Sequence, residues 1–252
     1  MRTLKLTLAY DGGDFIGWQR QPIGQSIQGE LERAFKEIEG KHIDVHGAGR
    51  TDAGVHALAQ VASVRLEHDI ETESLVRALN AKLPLNIRVF SVEQVQDQFH
   101  ARFSSRRKIY RYFIAPGLVV SPFVRRYAWH VAEPLDVSAM NRASAAFVGQ
   151  HDFAAFQAVG SDVETTVRTI SEVTLGARSL PGVELTDGLI SVDVIGDGFL
   201  RHMVRIMVGT LVAVGRGQRP VNAISDVIRS GERECAGVTA PAQGLFLVNV
   251  DY

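Results

Sequence analysis

Residues 47–57, GAGRTDAGVHA, place one carboxylate, Asp52, among three glycines, with Arg50 and His56 on either side. Glycine lets the backbone take positive φ and come close to a ligand, so such a loop can aim a single side chain. Two roles are open to Asp52. It is either a turn residue whose carboxylate caps nearby backbone amides, or a positioned nucleophile or general base that Arg50 or another arginine keeps ionised. A phosphate-cradling P-loop is excluded because the Gly-Lys-Ser/Thr ending is absent. The dinucleotide fingerprint fails as well, since Asp52 stands where a third glycine belongs.

A second group of chemically capable residues lies in residues 98–132, which hold seven basic side chains and no acidic one. Arg102, Arg106, Arg107, Lys108 and Arg111 surround an alternating run in which Tyr110 and Tyr112 share one face of an extended segment. A tyrosine there can stack under a nucleobase while neighbouring cations meet phosphates. Ordinary strand packing is the other role for these rings. The third group is the apolar stretch from Leu200, whose pattern predicts a buried helix with Arg201 and Arg205 one turn apart. A buried guanidinium requires a carboxylate. Its partner is either an internal acid or Asp52, across a cleft between two modules. An arginine within about 4–6 Å would lower the Asp52 pKa by ~1–3 units and keep it anionic.

Composition narrows the class. The 252 residues are 46% hydrophobic with net charge −1, as expected of a globular protein. A single cysteine, Cys235, and an N-terminus that begins directly as a strand suit a reducing cytoplasm. The apolar residues 199–215 carry Arg201, His202 and Arg205 and are too few to span a bilayer, so no membrane role is expected. No metal site is expected either: His42, His46 and His56 lack a zinc-binding spacing, and one cysteine cannot supply a Cys-x-x-Cys pair. After the basic run, residues 133–199 reverse the balance with ten acids against three arginines. A nearly neutral chain can therefore still present a positive stripe, the alternative being an ordinary solvated surface.

The elements that must position these groups follow from periodicity. Strands are predicted over residues 3–10, 42–46, 58–66 and 86–95, with helices from Ser26 and over 73–83. That order, β-α-β-β-α-β, is the split ferredoxin-like unit. A second series follows: strands over 107–115, 127–131, 167–175 and 190–195, helices over 137–148 and from Leu200 and Val221, and a last strand over 245–250. The expectation is an α+β protein of two such modules, residues 1–103 and 104–252, with the active-site cleft between them.

The segments LAYDGGDFIGWQRQ, SIQGELERAF, GAGRTDAGVHA, FHARFSSRRKIYRYFI, GFLRHMVRIMVG and APAQGLFLVNVDY, in this order, resemble the tRNA pseudouridine synthase A family along nearly the whole chain. The resemblance implies isomerisation of uridine to pseudouridine in the anticodon arm of tRNA, at positions 38, 39 and 40. It further implies Asp52 as nucleophile, Tyr110 stacked on the target base, and Arg205 paired with the aspartate. Arg50 would help hold or replace the flipped nucleotide, and Leu245 would line the uracil pocket. Also implied are a central, mostly antiparallel sheet shared by both modules, a homodimer, and a reaction without any cofactor. Arg102, Arg106, Lys108 and Arg111 are the expected contacts to RNA. The rival from another class is a non-catalytic tRNA-binding protein or RNA chaperone using the same basic stripe. A glycoside hydrolase is less suited, because no second positioned carboxylate is evident.

Overall fold

The computed structural model describes residues 1–158, 160, 163–180 and 188–252. Its secondary structure is mixed α and β, with mostly antiparallel strand pairs. The chain divides into two compact units, Met1–Arg106 with Phe246–Tyr252, and Arg107–Leu245.

In the first unit, β1 (Arg2–Tyr10) is followed by α1 (Ile27–Glu39), β2 (His46–Gly47), β3 (His56–Leu66), α2 (Thr72–Lys82) and β4 (Ile87–Val95). The strand β1 pairs antiparallel with both β3 and β4, and β2 pairs antiparallel with β3. Alternation decides which side of β1 is buried: Leu4, Leu6 and Leu8 are wholly inaccessible, each contributing roughly 1.5–3 kcal/mol of burial. Ser26 starts α1 by accepting a hydrogen bond from Gly29 N–H, and Gly40, in the left-handed region at φ 74°, ends it. Its buried stripe is Ile27, Leu31, Ala34 and Phe35. The predicted strand over 42–46 is corrected in part. Ile43 and Val45 are buried in alternation as the pattern requires, yet only His46 and Gly47 pair with β3. Alternating burial thus marks an extended chain lying on the core without ladder bonds along its whole length.

The second unit begins with β5 (Arg107–Pro116), α3 (Pro122–Arg125), β6 (Trp129–Val131) and α4 (Val137–Ser144). It continues through β7 (Gly149–Asp152), β8 (Val167–Arg178), β9 (Leu189–Gly196), α5 (Met203–Gly215) and α6 (Ala223–Ser230). Its strands run in the order β5-β9-β8-β7, all antiparallel, with β6 parallel to β5. The helix predicted over 137–148 is shorter than expected, since its last turn tightens into a 3-10 turn at Ala145–Phe147 before the unforeseen strand β7. Likewise α5 starts at Met203, preceded by His202 in the left-handed region at φ 63°. Arg201 therefore lies outside the helix and is exposed, so the expected helical pair Arg201 and Arg205 reduces to Arg205. The rest of α5 is buried nearly all round, as its composition predicts. The final strand, β10 (Leu245–Asp251), pairs parallel with β3 within the first unit through Phe246 and Leu247.

Candidate active site

The loop that carries Asp52 is fixed by a second glycine-rich stretch of its own unit, residues 11–18. Trp18 N–H donates to the Thr51 carbonyl at 3.0 Å, and Gly54 N–H donates to the Phe15 carbonyl at 3.3 Å. This contact needs glycine: Gly17 has φ 107°, and a β-carbon on it would stand 2.6 Å from the Thr51 oxygen. The Trp18 indole, only 2% exposed, covers Gly47, where any side chain would overlap the ring. A tight turn closes from Asp52 carbonyl to Val55 N–H at 3.1 Å. The backbone is consequently pinned on both sides of Asp52, whose side chain is half-buried, while Arg50 is exposed.

Two buried polar residues complete the support. Gln60, fully inaccessible on β3, donates to the Gly49 carbonyl at 2.9 Å and to the Tyr10 hydroxyl at 3.2 Å. Tyr10 in turn lies 2.8 Å from the Thr51 hydroxyl. Burial pushes the Tyr10 phenol up to about 12, against the opposing pull of its bonds to Thr51 and Gln60, so it stays a neutral hydroxyl in this network. Sequence reasoning did not single out either residue. The available signal was a glutamine at a buried phase of an apolar strand, where an amide must be fully hydrogen-bonded. The FIGWQRQ loop packs through Trp18.

In the second unit, alternation along β5 turns Lys108, Tyr110 and Tyr112 inward and leaves Arg107 exposed. Tyr110 is 6% exposed and meets Phe199 edge to face at 4.9 Å between centroids. Tyr112 is inaccessible and its hydroxyl donates to the Pro241 carbonyl at 2.7 Å. Burial pushes its phenol well above the ordinary tyrosine range, and the nearby Arg205 guanidinium pulls it back only in part. Arg205 is half-buried on α5, with Nε donating to the Ala240 carbonyl at 2.8 Å. Ala240 N–H returns a bond of 3.1 Å to the Arg205 carbonyl. Residues 237–241 can lie this close to α5 because Gly209 has no side chain, any β-carbon there overlapping the Val238 carbonyl. The Thr210 hydroxyl also accepts Gly237 N–H at 2.9 Å. Leu245, 6% exposed, follows Gly244, whose backbone lies against the Tyr112 ring.

The expected RNA contacts differ in their surroundings. Arg111 is held by Asp193, its partner across β9, through two bonds of 2.7 Å, and these bonds raise its pKa further. Lys108 is 9% exposed. Arg102 and Arg106 are exposed, the Arg102 guanidinium lying 5.4 Å from the Phe103 ring centre. Among the described residues, Glu32, His42 and Asp44 bring potential metal-ligand atoms within 4.8 Å of one another. The Glu32 carboxylate already meets Arg20 at 2.7 Å, and His42 is hydrogen-bonded to Asp44 at 3.1 Å, so contacts within the protein account for the cluster. No helix among the described residues is long and apolar enough to cross a membrane.

Comparison with known proteins gives a consistent result along the chain. The family described as tRNA pseudouridine synthase matches residues 7–104 and 143–252, which include the Asp52 loop, Arg205 and Leu245. The chain is 40% identical over 252 residues to tRNA pseudouridine synthase A of Thermoanaerobacter sp. (strain X514), covering all of both chains. It is 46% identical over 254 residues to the protein of that name from Moorella thermoacetica, again with complete coverage. Against the Limosilactobacillus fermentum protein, also tRNA pseudouridine synthase A, identity is 46% over all of this chain and 96% of the relative. The chain belongs to the tRNA pseudouridine synthase family.

Proposed function

We propose that this enzyme isomerises uridine to pseudouridine in the anticodon stem-loop of tRNA, at positions 38, 39 and 40, with Asp52 as the nucleophile on a flipped-out uridine. Family membership over the full length supports the reaction. The observation that carries the residue assignment is the immobilised backbone around Asp52, braced by Trp18, Gly17, Gln60 and Tyr10. A carboxylate fixed in this way suits near-attack positioning, where misplacement by about 1 Å can cost ~100-fold in rate.

The isomerisation conserves atoms. The N1–C1′ bond breaks, the uracil turns while held, C5 bonds to C1′, and the proton that leaves C5 is matched by one taken up at N1. Asp52 can add to C1′ or to C6 of the base, or assist elimination at C2′. None of these steps calls on a redox group or a metal. Arg205 is the guanidinium that pairs with the carboxylate, Tyr110 offers the stacking face, and Leu245 lines the uracil pocket. Arg50 steadies the vacated stack. Flipping the nucleotide costs a few kcal/mol, offset by stacking and by phosphate contacts from Arg102, Arg106 and Lys108. Arg111, already paired with Asp193, orders β5 against β9 and contributes positive potential.

The strand order β4-β1-β3, with β2 on the far side of β3, supports reading the first unit as ferredoxin-like, and we assign the second unit to the same class. The working form is a cytoplasmic homodimer. The test is to incubate purified protein with unmodified tRNA transcript and map the product. Pseudouridine should appear at positions 38–40; product confined to the T-arm, or formed only from free uridine, would contradict the assignment.

A further inference from the structure

The loop over residues 98–105 in the first unit is anchored far more firmly than its outward side chains require. Ala101 is inaccessible; its N–H donates to the Ser63 hydroxyl at 3.0 Å and its carbonyl accepts the Tyr252 hydroxyl at 2.8 Å. His100 N–H donates to the Ser104 hydroxyl, and Ser104 N–H returns to the His100 carbonyl at 2.9 Å. Phe99 packs on Tyr252 with centroids 4.9 Å apart, and Arg106 N–H reaches the Asp251 carbonyl. The ring of His100 is fixed too, because Nδ1 accepts the backbone N–H groups of Arg102 at 3.1 Å and Phe103 at 3.4 Å. Burial first, then the charges of His46 and Arg102, lower its pKa, consistent with a neutral ring carrying its proton on Nε2.

On this base stand three aromatic rings in series. His46 lies 4.9 Å from His100, and His100 lies 4.5 Å from Phe103, with tilts of 32° and 38°. Phe103 is 76% exposed, His46 is exposed, and the Arg102 guanidinium rests over the Phe103 ring. Arg65, exposed on β3, adds positive charge near His100. Burial of Phe103 contributes little to the fold, so the rigidity of the loop serves display. A flat π face with a guanidinium beside it and no flexible backbone to order fits an unpaired nucleobase and its phosphate.

We propose that Phe103, with His100 and His46 behind it and Arg102 beside it, forms a nucleobase-stacking station that grips an unpaired part of the tRNA away from the uridine being isomerised. The inference rests on tRNA being the substrate, and it adds a second place at which the enzyme holds it. Replacing Phe103→Ala should weaken binding of unmodified tRNA transcript about 10-fold, while Phe103→Trp should restore it. Arg102→Ala should reduce the slope of log affinity against log salt by about 1. Phe90→Ala, at a phenylalanine 65% exposed on β4, serves as the control and should bind as the parent does. Thermal unfolding checks that each variant is folded.

Parental affinity for Phe103→Ala at every salt concentration would overturn the station. So would a Phe103→Ala defect that appears as dimer dissociation, because the ring would then face a second copy of the chain. The two proposals fail separately. Normal product mapping with an inert Phe103→Ala removes only the station. Weakened binding by Phe103→Ala in a protein that forms no pseudouridine leaves the station standing and removes the functional reading.

Discussion

The Asp52 loop and the Arg205 region solve the same problem, holding a charged side chain in place, by different means. In the first unit the support is packing: a buried indole over one glycine, a second glycine at positive φ against the Thr51 carbonyl, and a satisfied glutamine beneath. In the second unit the charge sits on a helix; Gly209 lets residues 237–241 come close, and individual hydrogen bonds then hold Arg205 and Tyr112 to them. Steric support fails abruptly when altered, whereas one hydrogen bond yields by about 1 kcal/mol. The Trp18 and Gly17 contacts should therefore be more brittle than the hydrogen bond from Tyr112.

That contrast can be broken most directly at Trp18. Trp18→Ala opens a large cavity above Gly47 and should lower stability by about 3–5 kcal/mol, read by denaturant unfolding, with isomerisation falling by more than the folded fraction does. Gly17→Ala should cost roughly 2–3 kcal/mol, since its backbone lies at φ 107° and the new methyl meets the Thr51 carbonyl. In the second unit, Tyr112→Phe removes only the bond to Pro241 and should cost about 1–2 kcal/mol. Its rate at saturating tRNA should drop around tenfold as residues 240–245 loosen beside Arg205 and Leu245. A Tyr112→Phe loss as large as that of Trp18→Ala would erase the distinction.

A pH dependence, confined to strongly alkaline solution, leaves the parent unchanged near neutral pH. The Tyr10 phenol ionises near 12 in the folded protein, against an ordinary value of 10.0. Because the folded value is the higher one, its contribution is complete below about pH 10 and is lost as pH rises toward 12, amounting to roughly 2–3 kcal/mol. Tyr10→Phe should flatten the fall in unfolding free energy between pH 10 and 12, while Tyr112, also shifted upward, keeps part of the slope in place.

How much of this was legible in the sequence follows the same division. The strands β1, β3, β4 and β5 and the helix α1 follow from periods of two and 3.6 in Leu4–Leu6–Leu8, in Lys108–Tyr110–Tyr112 and in Ile27–Leu31–Phe35. The Asp52 loop was visible because its glycines lie within one short motif. Its braces were harder to see: Tyr10 and Trp18 are some 30 to 40 residues away, and only register between β1 and β3 brings them near. Pairing of Arg111 with Asp193, 82 residues apart, was hidden for the same reason, as was the bond from Tyr112 to Pro241, 129 residues apart. Local pattern also failed where a single left-handed residue, His202, delays the start of α5. Nothing in an apolar run announces that position.

The central claim is that the carboxylate of Asp52 acts chemically on uridine. Single-turnover assays of Asp52→Asn with unmodified tRNA transcript test it, since the amide preserves shape and loses the charge. The account predicts no detectable pseudouridine alongside tRNA affinity and thermal stability close to those of the parent. Product formed at an appreciable rate by Asp52→Asn would contradict it.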